Sequence, residues 1–248
     1  MTILDLDLDF FVTPAVLVRS LPSKRPSAER HMLWPVVDVR RFVEDQLRIQ
    51  PGRSVKGRFF NEHSEVYDYL VGRGIGDIQL VHCDAHADLG FGGFSMRYIL
   101  EDLLALPPEA RNTPRRGGDD GLSSSNWLSF LLAARRVGSV VFVTPPQWDG
   151  PQAQDDLPRE YFKDQDPKTG IIALPRLPKN GWGKWVTQRC LQEVISLEPE
   201  VPFARVRNVD FVRDSPPDLM LVTHSPLYVP DTADHLLDVL SDYVETSD

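Results

Sequence analysis

The chain has 248 residues, of which 42% are hydrophobic and 25% charged, as is typical of a globular protein rather than a disordered or fibrous one. Its formal net charge of −9 disfavours nucleic acid and anionic membranes as partners, and no apolar run reaches the roughly 20 residues of a membrane-spanning helix. Without a signal-peptide pattern, and with two cysteines (Cys83 and Cys190) that lack a CxxC spacing, the chain is expected to be a cytoplasmic protein with reduced thiols and one domain over residues 1–248.

The first predicted element is a strand in which acidic and apolar residues alternate. Asp5, Asp7 and Asp9 share one face, roughly 6.5–7 Å apart, and leucines share the other. At an effective dielectric of about 20, each adjacent pair of ionised carboxylates repels by roughly 2–3 kcal/mol. No Lys or Arg precedes Arg19 to neutralise them. The strand is therefore either a sheet edge with a solvated acidic face or a strand whose carboxylates meet a bound cation.

Helices and strands alternate through the rest of the chain. Helices are predicted over residues 35–48, from a cap at Asn61 to Gly74, over 96–106, 127–137 and 184–198, and from a cap at Asp231 through Val244. Strands are predicted over residues 55–60, 78–83, 139–144, 170–174, 201–206 and 219–223. This alternation indicates an α/β fold with a mostly parallel sheet. The segments 107–125 and 145–183, rich in Pro, Gly and Asp, are expected to be loop or lid insertions.

The strongest candidate site follows the strand at residues 78–83, where Asp84, His86 and Asp88 alternate. Three such side chains can converge on one ion where a strand runs into a loop. Carboxylates with imidazole suit Mn, Zn, Fe or Co, and carboxylate-rich sets favour Mn. The alternative is a polar strand end in which Asp88 caps a turn. His82 could support the ligands from behind or could simply be a packed histidine, and the second interpretation is favoured. Cys83 is expected in the core.

Three further positions each have a functional and a structural interpretation. His63, 21 residues before Asp84, stands at a strand-to-helix junction and could reach the same ion, or could simply support the helix start. His224 follows an apolar strand and is either a proton shuttle or a structural histidine. Asn126-Trp127 either contacts a substrate or provides a helix cap and a core tryptophan.

On these residues the chain resembles the arginase/deacetylase superfamily. Ureohydrolases of that group hold two manganese ions with a His after one strand, an Asp-x-His-x-Asp after the next and an Asp-x-Asp on a later strand. Here Asp84–Asp88 matches the second motif, and Glu62-His63-Ser64 is similar to the end of the first. Asp7-Leu8-Asp9 looks like the third, although it precedes the others, which suggests a circular permutation.

A closer resemblance is to the peptide arginases of ribosomally made peptide natural products. The segments that carry it are Ile3–Phe11, Glu62–Val66, His82–Leu89, Asn126-Trp127 before Val140–Val143, and Leu221–Pro226. The resemblance implies a permuted, arginase-like three-layer α/β/α fold with about 7–8 strands. It also implies that two Mn²⁺ ions serve the hydrolysis of peptidyl arginine to peptidyl ornithine and urea, as a post-translational modification.

The resemblance assigns roles to individual residues. It implies six metal ligands, which are Asp7, Asp9, His63, Asp84, His86 and Asp88. Asp84 and Asp7 would bridge the ions, His63 and Asp88 would complete one shell, and His86 and Asp9 the other. Which two of Asp5, Asp7 and Asp9 bind stays open, with the last pair favoured. Asp88 and His224 are the candidate catalytic residues.

The substrate side is less defined. Ureohydrolases of free arginine pair the guanidinium with a Glu after the last strand, and this chain has none there. The candidates for substrate binding are Glu62, Asn126 and Asp5. The expected partner is an arginine-containing precursor peptide, with no nucleic acid or membrane, and a homo-oligomer is left open. Two alternatives remain, namely a metal-dependent deacetylase of the same fold, and a non-catalytic, metal-stabilised module that binds peptides.

Overall fold

A mixed α/β architecture is seen in the computed structural model, which describes residues 1–16, 24–90, 94–146, 157–188 and 194–246. In chain order its strands are β1 (Thr2–Asp7), β2 (Val12–Thr13), β3 (Met32–Leu33), β4 (Val55–Phe60), β5 (Ile78–Cys83), β6 (Val137–Thr144), β7 (Ile171–Arg176), β8 (Ser196–Arg207), β9 (Leu219–Thr223) and β10 (Val244–Thr246). Eight of them form one sheet in the order β10-β4-β9-β1-β5-β6-β8-β7, and β2 and β3 form a separate pair.

Every neighbouring pair in the large sheet is parallel except β7 with β8. The predicted α/β class with a mostly parallel sheet of eight strands is confirmed. Strands β4 and β5, which precede and follow α2 in the chain, run parallel in one sheet. They are not neighbours, because β9 and β1 lie between them.

The helices of the described residues are short. They are α1 (Val36–Arg41), α2 (His63–Gly72), α3 (Phe94–Tyr98), α4 (Trp127–Ala133), α5 (Trp182–Gln188) and α6 (His235–Ser241). Wider π-helical turns extend α1 over Phe42–Gln46 and α3 over Ile99–Leu103. Short 3₁₀ helices cover Leu8–Phe11, Pro108–Asn112, Arg159–Tyr161, Lys163–Gln165, Pro167–Thr169, Asn208–Asp210 and Asp231–Ala233.

Two apolar cores lie on the two faces of the sheet, so the fold has three layers. One core contains Ile3 of β1 and side chains from α2, α3, α4 and α5. The other contains Leu4 and Leu6 of β1 and side chains from α1 and α6. Because side chains alternate along a strand, Asp5 and Asp7 are on the same side of β1 as Ile3.

The interpretation of the first strand as a sheet edge is wrong. Strand β1 lies in the middle of the sheet, with β9 on one side and β5 on the other. The three aspartates Asp5, Asp7 and Asp9 are at most 1% exposed. Their carboxylates are therefore inside the protein, where neighbouring like charges need compensation.

Several predicted element ends are displaced because sheet pairing overrides apolar periodicity. The helix from Trp127 ends at Ala133, and Val137 already belongs to β6. The predicted helix 184–198 starts earlier, at Trp182, and its last residues belong to β8. Val244 lies in β10, not in the final helix.

The predicted helix cap at Asn61 is also wrong. Helix α2 begins at His63 with Glu62 as its N-cap residue, and Glu65 closes the capping box. The Glu65 carboxylate accepts hydrogen bonds from the backbone N–H groups of Asn61 and Glu62. This arrangement places His63 in the first turn of the helix.

The predicted insertions contain some regular structure. The segment 107–125 includes one 3₁₀ helix, and 145–183 includes β7 and the start of α5; their role as lids stays a prediction. Cys83 is buried in the core as expected, whereas Cys190 lies outside the described residues. Within the described ranges, no helix combines the length and the apolar character needed to cross a membrane.

Candidate metal centre

Four neighbouring parallel strands, β4, β9, β1 and β5, end at one edge of the sheet, which we call the rim. The rim surrounds a cavity of about 140 Å³. All six predicted ligands line this cavity, namely Asp7, Asp9, His63, Asp84, His86 and Asp88. The structure thus brings together residues that are up to 81 positions apart in the chain (88 − 7), as expected for the carboxyl ends of parallel strands.

The turn after β1 brings two aspartates to the cavity. The strand ends at Asp7, and the chain enters the 3₁₀ helix Leu8–Phe11. The Asp7 carboxylate accepts a hydrogen bond from the Asp9 backbone N–H at 2.8 Å. Asp9 in turn accepts one from the Ala85 backbone N–H at 3.1 Å. Asp7 and Asp9 therefore converge on the end of β5 instead of standing apart along an extended strand.

The loop after β5 is held in a similar way. Asp84 accepts a hydrogen bond from the His86 backbone N–H at 2.7 Å, which is the self-bonding turn that aspartate favours. Asp88 has a left-handed backbone with φ of 50°, a conformation that costs free energy for a residue other than glycine. Its Oδ2 lies 2.6 Å from Trp127 Nε1 and 2.9 Å from His63 Nδ1. The Asp88 side chain thus engages other side chains across the cavity.

Two groups of potential ligands meet in the cavity and share one residue. Asp7, His63 and Asp84 form the first group, and Asp9, Asp84 and His86 the second, with ligand atoms within 4.8 Å of one another in each. His63 Nδ1 lies 3.3 Å from Asp7 Oδ2, and His86 Nδ1 lies 2.8 Å from Asp9 Oδ2. Asp84 stands between the two groups, the position of a bridging ligand.

A further layer lies behind the first group. The His82 ring places Nδ1 2.7 Å from Asp5 Oδ2 and Nε2 2.9 Å from the His86 carbonyl oxygen. Asp5 Oδ2 is also 3.2 Å from His63 Nε2. Asp5 and His82 are completely buried and do not line the cavity. They therefore orient His63 and the His86 loop, as outer partners of metal ligands do.

The cavity concentrates buried carboxylates, which raise one another's pKa values. Burial and the charge of Asp9 raise the pKa of Asp7 well above its ordinary value. Burial, together with Asp9, Asp88 and Asp7, raises the pKa of Asp84 well above its ordinary value. No Lys or Arg is among the described residues that line the cavity. Without another cation, some of these carboxylates must hold protons.

The pKa values of the two lining histidines are raised as well, but by neighbouring carboxylates instead of by burial. Burial alone would lower the pKa of His63, but Asp5 and Asp88 raise it well above its ordinary value. Burial is likewise outweighed at His86, where Asp9 and Asp84 raise the pKa. Burial would raise the pKa of Asp5, but His63 and His82 lower it to about 2.

The surroundings of the histidine nitrogens also indicate that the cavity suits cations. His63 Nδ1 carries at most one hydrogen, yet three carboxylates, those of Asp7, Asp84 and Asp88, lie 2.9–3.8 Å from it. Buried His86 Nε2 has no hydrogen-bond partner among the described residues. A carboxylate-rich set with two imidazoles fits divalent ions of the Mn type. The residues present therefore fit a pair of such ions.

The other predicted site residues are placed differently. Asp5 is shielded by His63 and His82, so it is not positioned to touch a substrate. The Asn126 side chain is 4% exposed and holds its own loop, accepting from Ser123 N–H and donating to the Gly121 carbonyl. Both were predicted as substrate-binding residues. For both, burial and local hydrogen bonds place the side chain away from a substrate.

His224 lies beside the rim but does not line the cavity. Its Nε2 is 2.8 Å from Asp234 Oδ1 and 3.3 Å from Arg25 Nη2. The structure gives this histidine partners on the protein surface rather than in the candidate site. The structural interpretation of His224 is therefore the one that its surroundings favour.

Trp127 supports the site and is completely buried. Its indole ring stacks on His63 with ring centroids 5.3 Å apart, and its N–H donates to Asp88. The tryptophan is thus both a core residue and a partner of two candidate ligands. Its burial supports the predicted core tryptophan, whereas the predicted contact with a substrate has no support in its surroundings.

Some cavity residues were not predicted as site residues. Ser225, which follows β9 with φ of 48°, donates its hydroxyl hydrogen to Asp7 Oδ2 at 2.5 Å. The Tyr228 ring meets the His86 ring edge-on at 4.9 Å between centroids. Ser124, Ser125 and Gly90 also line the cavity. Serine, tyrosine and glycine in loops have no local pattern that would have identified them.

Comparison of the chain with protein-family models, with curated proteins and with solved structures yields no match. The arginase/deacetylase resemblance therefore stays a prediction that depends on the motifs and on the cavity that they form.

Proposed function

We propose that the chain is a binuclear, manganese-dependent hydrolase that converts arginine residues of a peptide to ornithine and releases urea. The observation that carries this proposal is the pair of ligand groups that share Asp84. The motif resemblance supplies the reaction, and the buried negative charge supplies the reason for cations. A cytoplasmic location, where Cys83 stays reduced, belongs to the same proposal.

The order of the motifs along the chain does not weaken the proposal. Strand β1, which carries Asp7 and Asp9, comes first in the chain but lies between β9 and β5 in the sheet. A circular permutation changes where the chain is cut and leaves the neighbours of each strand unchanged. The permuted, arginase-like arrangement is thus compatible with a common rim.

Two divalent cations bound in the cavity would supply a nucleophilic hydroxide at neutral pH, which the poorly electrophilic guanidinium carbon requires. Side chains of the protein would transfer the proton and hold the ligands in place. Asp88 accepts the Trp127 N–H with one oxygen, and its other oxygen would take the proton that the attacking hydroxide gives up and pass it to the departing amine. Ser225 and the Asp9 N–H hold the Asp7 carboxylate in place.

A one-metal deacetylase is less well supported. Such an enzyme would need one Asp, one His and a second Asp, whereas the cavity offers two overlapping groups of three. Metal stoichiometry separates the two interpretations. Two ions per chain support the hydrolase proposal, and one ion per chain favours the deacetylase.

The decisive experiment is mass spectrometry of arginine-containing peptides incubated with the Mn-loaded protein. We expect each modified arginine to lose the mass of cyanamide, with an equal amount of urea released. Asp84→Asn is the control, which should abolish both signals. Unchanged peptides in the presence of two bound ions per chain would contradict the proposal and favour a non-catalytic binding module.

A further inference from the structure

A second cavity of about 300 Å³, which we call the vestibule, opens beside the metal cavity. The two cavities share three lining residues, Ser124, Ser125 and Tyr228. A substrate that reaches the candidate ligands from this side passes through the vestibule. The groups on its walls therefore have the first opportunity to select that substrate.

Glu62 is the one charged side chain among the described residues that line the vestibule. It stands next to His63 in the chain and is the N-cap residue of α2. Its Oε2 accepts a hydrogen bond from Ser124 Oγ at 2.5 Å. Ser124 is part of the wall common to both cavities, so the Glu62 carboxylate lies where they join.

Charge balance makes this carboxylate important once metal is bound. The four lining aspartates, Asp7, Asp9, Asp84 and Asp88, carry −4 when ionised. Two divalent ions would offset that charge, so the metal cavity by itself would no longer attract a cation. Glu62 would then be the negative charge nearest to an incoming cation, since the described lining residues of the vestibule include no other acid and no Lys or Arg.

Resting on the proposed function, we propose that Glu62 binds the guanidinium of the substrate arginine at the junction of the vestibule and the metal cavity. A carboxylate accepts the planar fork of N–H groups of a guanidinium in two parallel hydrogen bonds. Glu62 thereby selects arginine over neutral side chains of the same length. Of the three residues predicted to bind substrate, it is the one that reaches a cavity.

The test compares the binding of two ligands to the Mn-loaded protein by calorimetry, with urea release measured in parallel. The ligands are Nα-acetyl-L-arginine amide and its neutral counterpart, Nα-acetyl-L-citrulline amide. We expect the unmodified chain to bind the arginine compound about 10- to 100-fold more tightly, the range of one charged hydrogen-bonded pair. In Glu62→Gln this preference should fall to near unity, with two ions still bound per chain.

Asp68→Asn is the matched control. It makes the same change from carboxylate to amide on the same helix, at a side chain that pairs with Arg116 and does not line the vestibule. The preference for arginine should survive in this variant. Retained preference in Glu62→Gln, or none in the unmodified chain, would overturn the inference. Preferential binding that depends on Glu62 without urea release would instead contradict the proposed hydrolysis and leave this inference standing.

Discussion

Two groups of carboxylates in this protein are compensated in different ways. Glu198, on β8, faces Arg111 and Arg135. Arg111 is 3% exposed and also donates to the carbonyl oxygens of Leu104, Leu106 and Ala133. Burial would raise the pKa of Glu198, but the two arginines lower it. This acid is therefore neutralised by permanent cations of the chain itself.

The rim has acids without such cations. Asp7, Asp9, Asp84 and Asp88 line a cavity in which the described residues include no Lys or Arg. The comparison shows that this fold can neutralise a partly exposed carboxylate with arginine, and that the described residues do not do so at the more deeply buried rim. A buried structural charge is usually paired within the protein. Acids that are left to share protons are typical of a site that receives an external ion.

Removing the shared ligand should have the largest effect. We expect Asp84→Asn to eliminate turnover and to weaken metal binding by more than about 100-fold. That is more than the loss of metal affinity expected when a residue that only hydrogen-bonds to a metal ligand is replaced. The variant should keep its fold without metal, because the substitution removes one of several carboxylates that repel one another. Metal titration and circular dichroism measure the two effects. Full metal occupancy in this variant would show that Asp84 does not hold the ions.

The pH dependence of stability should distinguish the two charge groups next. Asp7 and Asp84 have pKa values raised above 3.8, so the stability they contribute is lost as pH rises above that value. His63 and His86 have pKa values raised above 6.5, so their contribution, complete below 6.5, is lost as pH rises further.

All four groups therefore destabilise the metal-free protein as pH increases through neutrality. Mn²⁺ should reverse this slope below about pH 6.5, because it binds the deprotonated ligands, so that the unfolded chain then holds more protons than the folded one. Denaturant unfolding of the metal-free and Mn-loaded protein between about pH 5 and pH 8 measures this pH dependence. The range brackets the ordinary histidine pKa of about 6.5. Equal slopes in the two forms would contradict a metal site at the rim.

Breaking the structural pair should affect stability alone. Arg111→Met leaves the partly exposed Glu198 with Arg135 as its remaining cation and removes the donor to three carbonyl groups. We expect a loss of about 1–3 kcal/mol in unfolding free energy, the cost of leaving buried hydrogen-bonding groups unpaired. Metal content should not change. A parallel loss of metal from the folded variant would show that the two charge groups are coupled.

Trp127 connects the rim to the apolar core, and its effect should be smaller. Trp127→Phe keeps an aromatic ring beside His63 but removes the N–H that holds Asp88. We expect metal affinity to fall about 10- to 100-fold. Trp185→Phe is the control, since Trp185 lies in the same core and its buried indole N–H has no partner among the described residues. Equal metal loss in both variants would reduce Trp127 to a packing role.

The smallest effect is expected at His224. Its contacts are Arg25 and Asp234, away from the cavity. His224→Ala should change turnover by less than about threefold, the range of ordinary surface substitutions. Ser225→Ala, one residue later, removes the hydroxyl that donates to Asp7 and should have the larger effect. A loss of about 100-fold or more in His224→Ala would restore its predicted role as proton shuttle.

Much of the fold and of the candidate site could be predicted because local patterns report them. Strands β4, β5 and β9 match their predicted ranges, since turn residues bound each of them and β5 and β9 are largely apolar. The ends of α4, α5 and α6 could not be predicted in this way. Apolar periodicity does not distinguish the last turn of a helix from the first residues of a buried strand.

The sequence by itself determined the α/β class, because alternation is a property of neighbouring residues, and its resemblance to a known superfamily implied six candidate ligands. Tertiary structure alone decided which aspartates face the cavity. The 3₁₀ turn after β1 directs Asp7 and Asp9 toward it, while Asp5 faces His82 behind it. It also decided the partners Trp127 and Ser225 and the position of Glu62 in the vestibule. These contacts join strand ends and loops far apart in the chain, which only the packing of the whole sheet brings together.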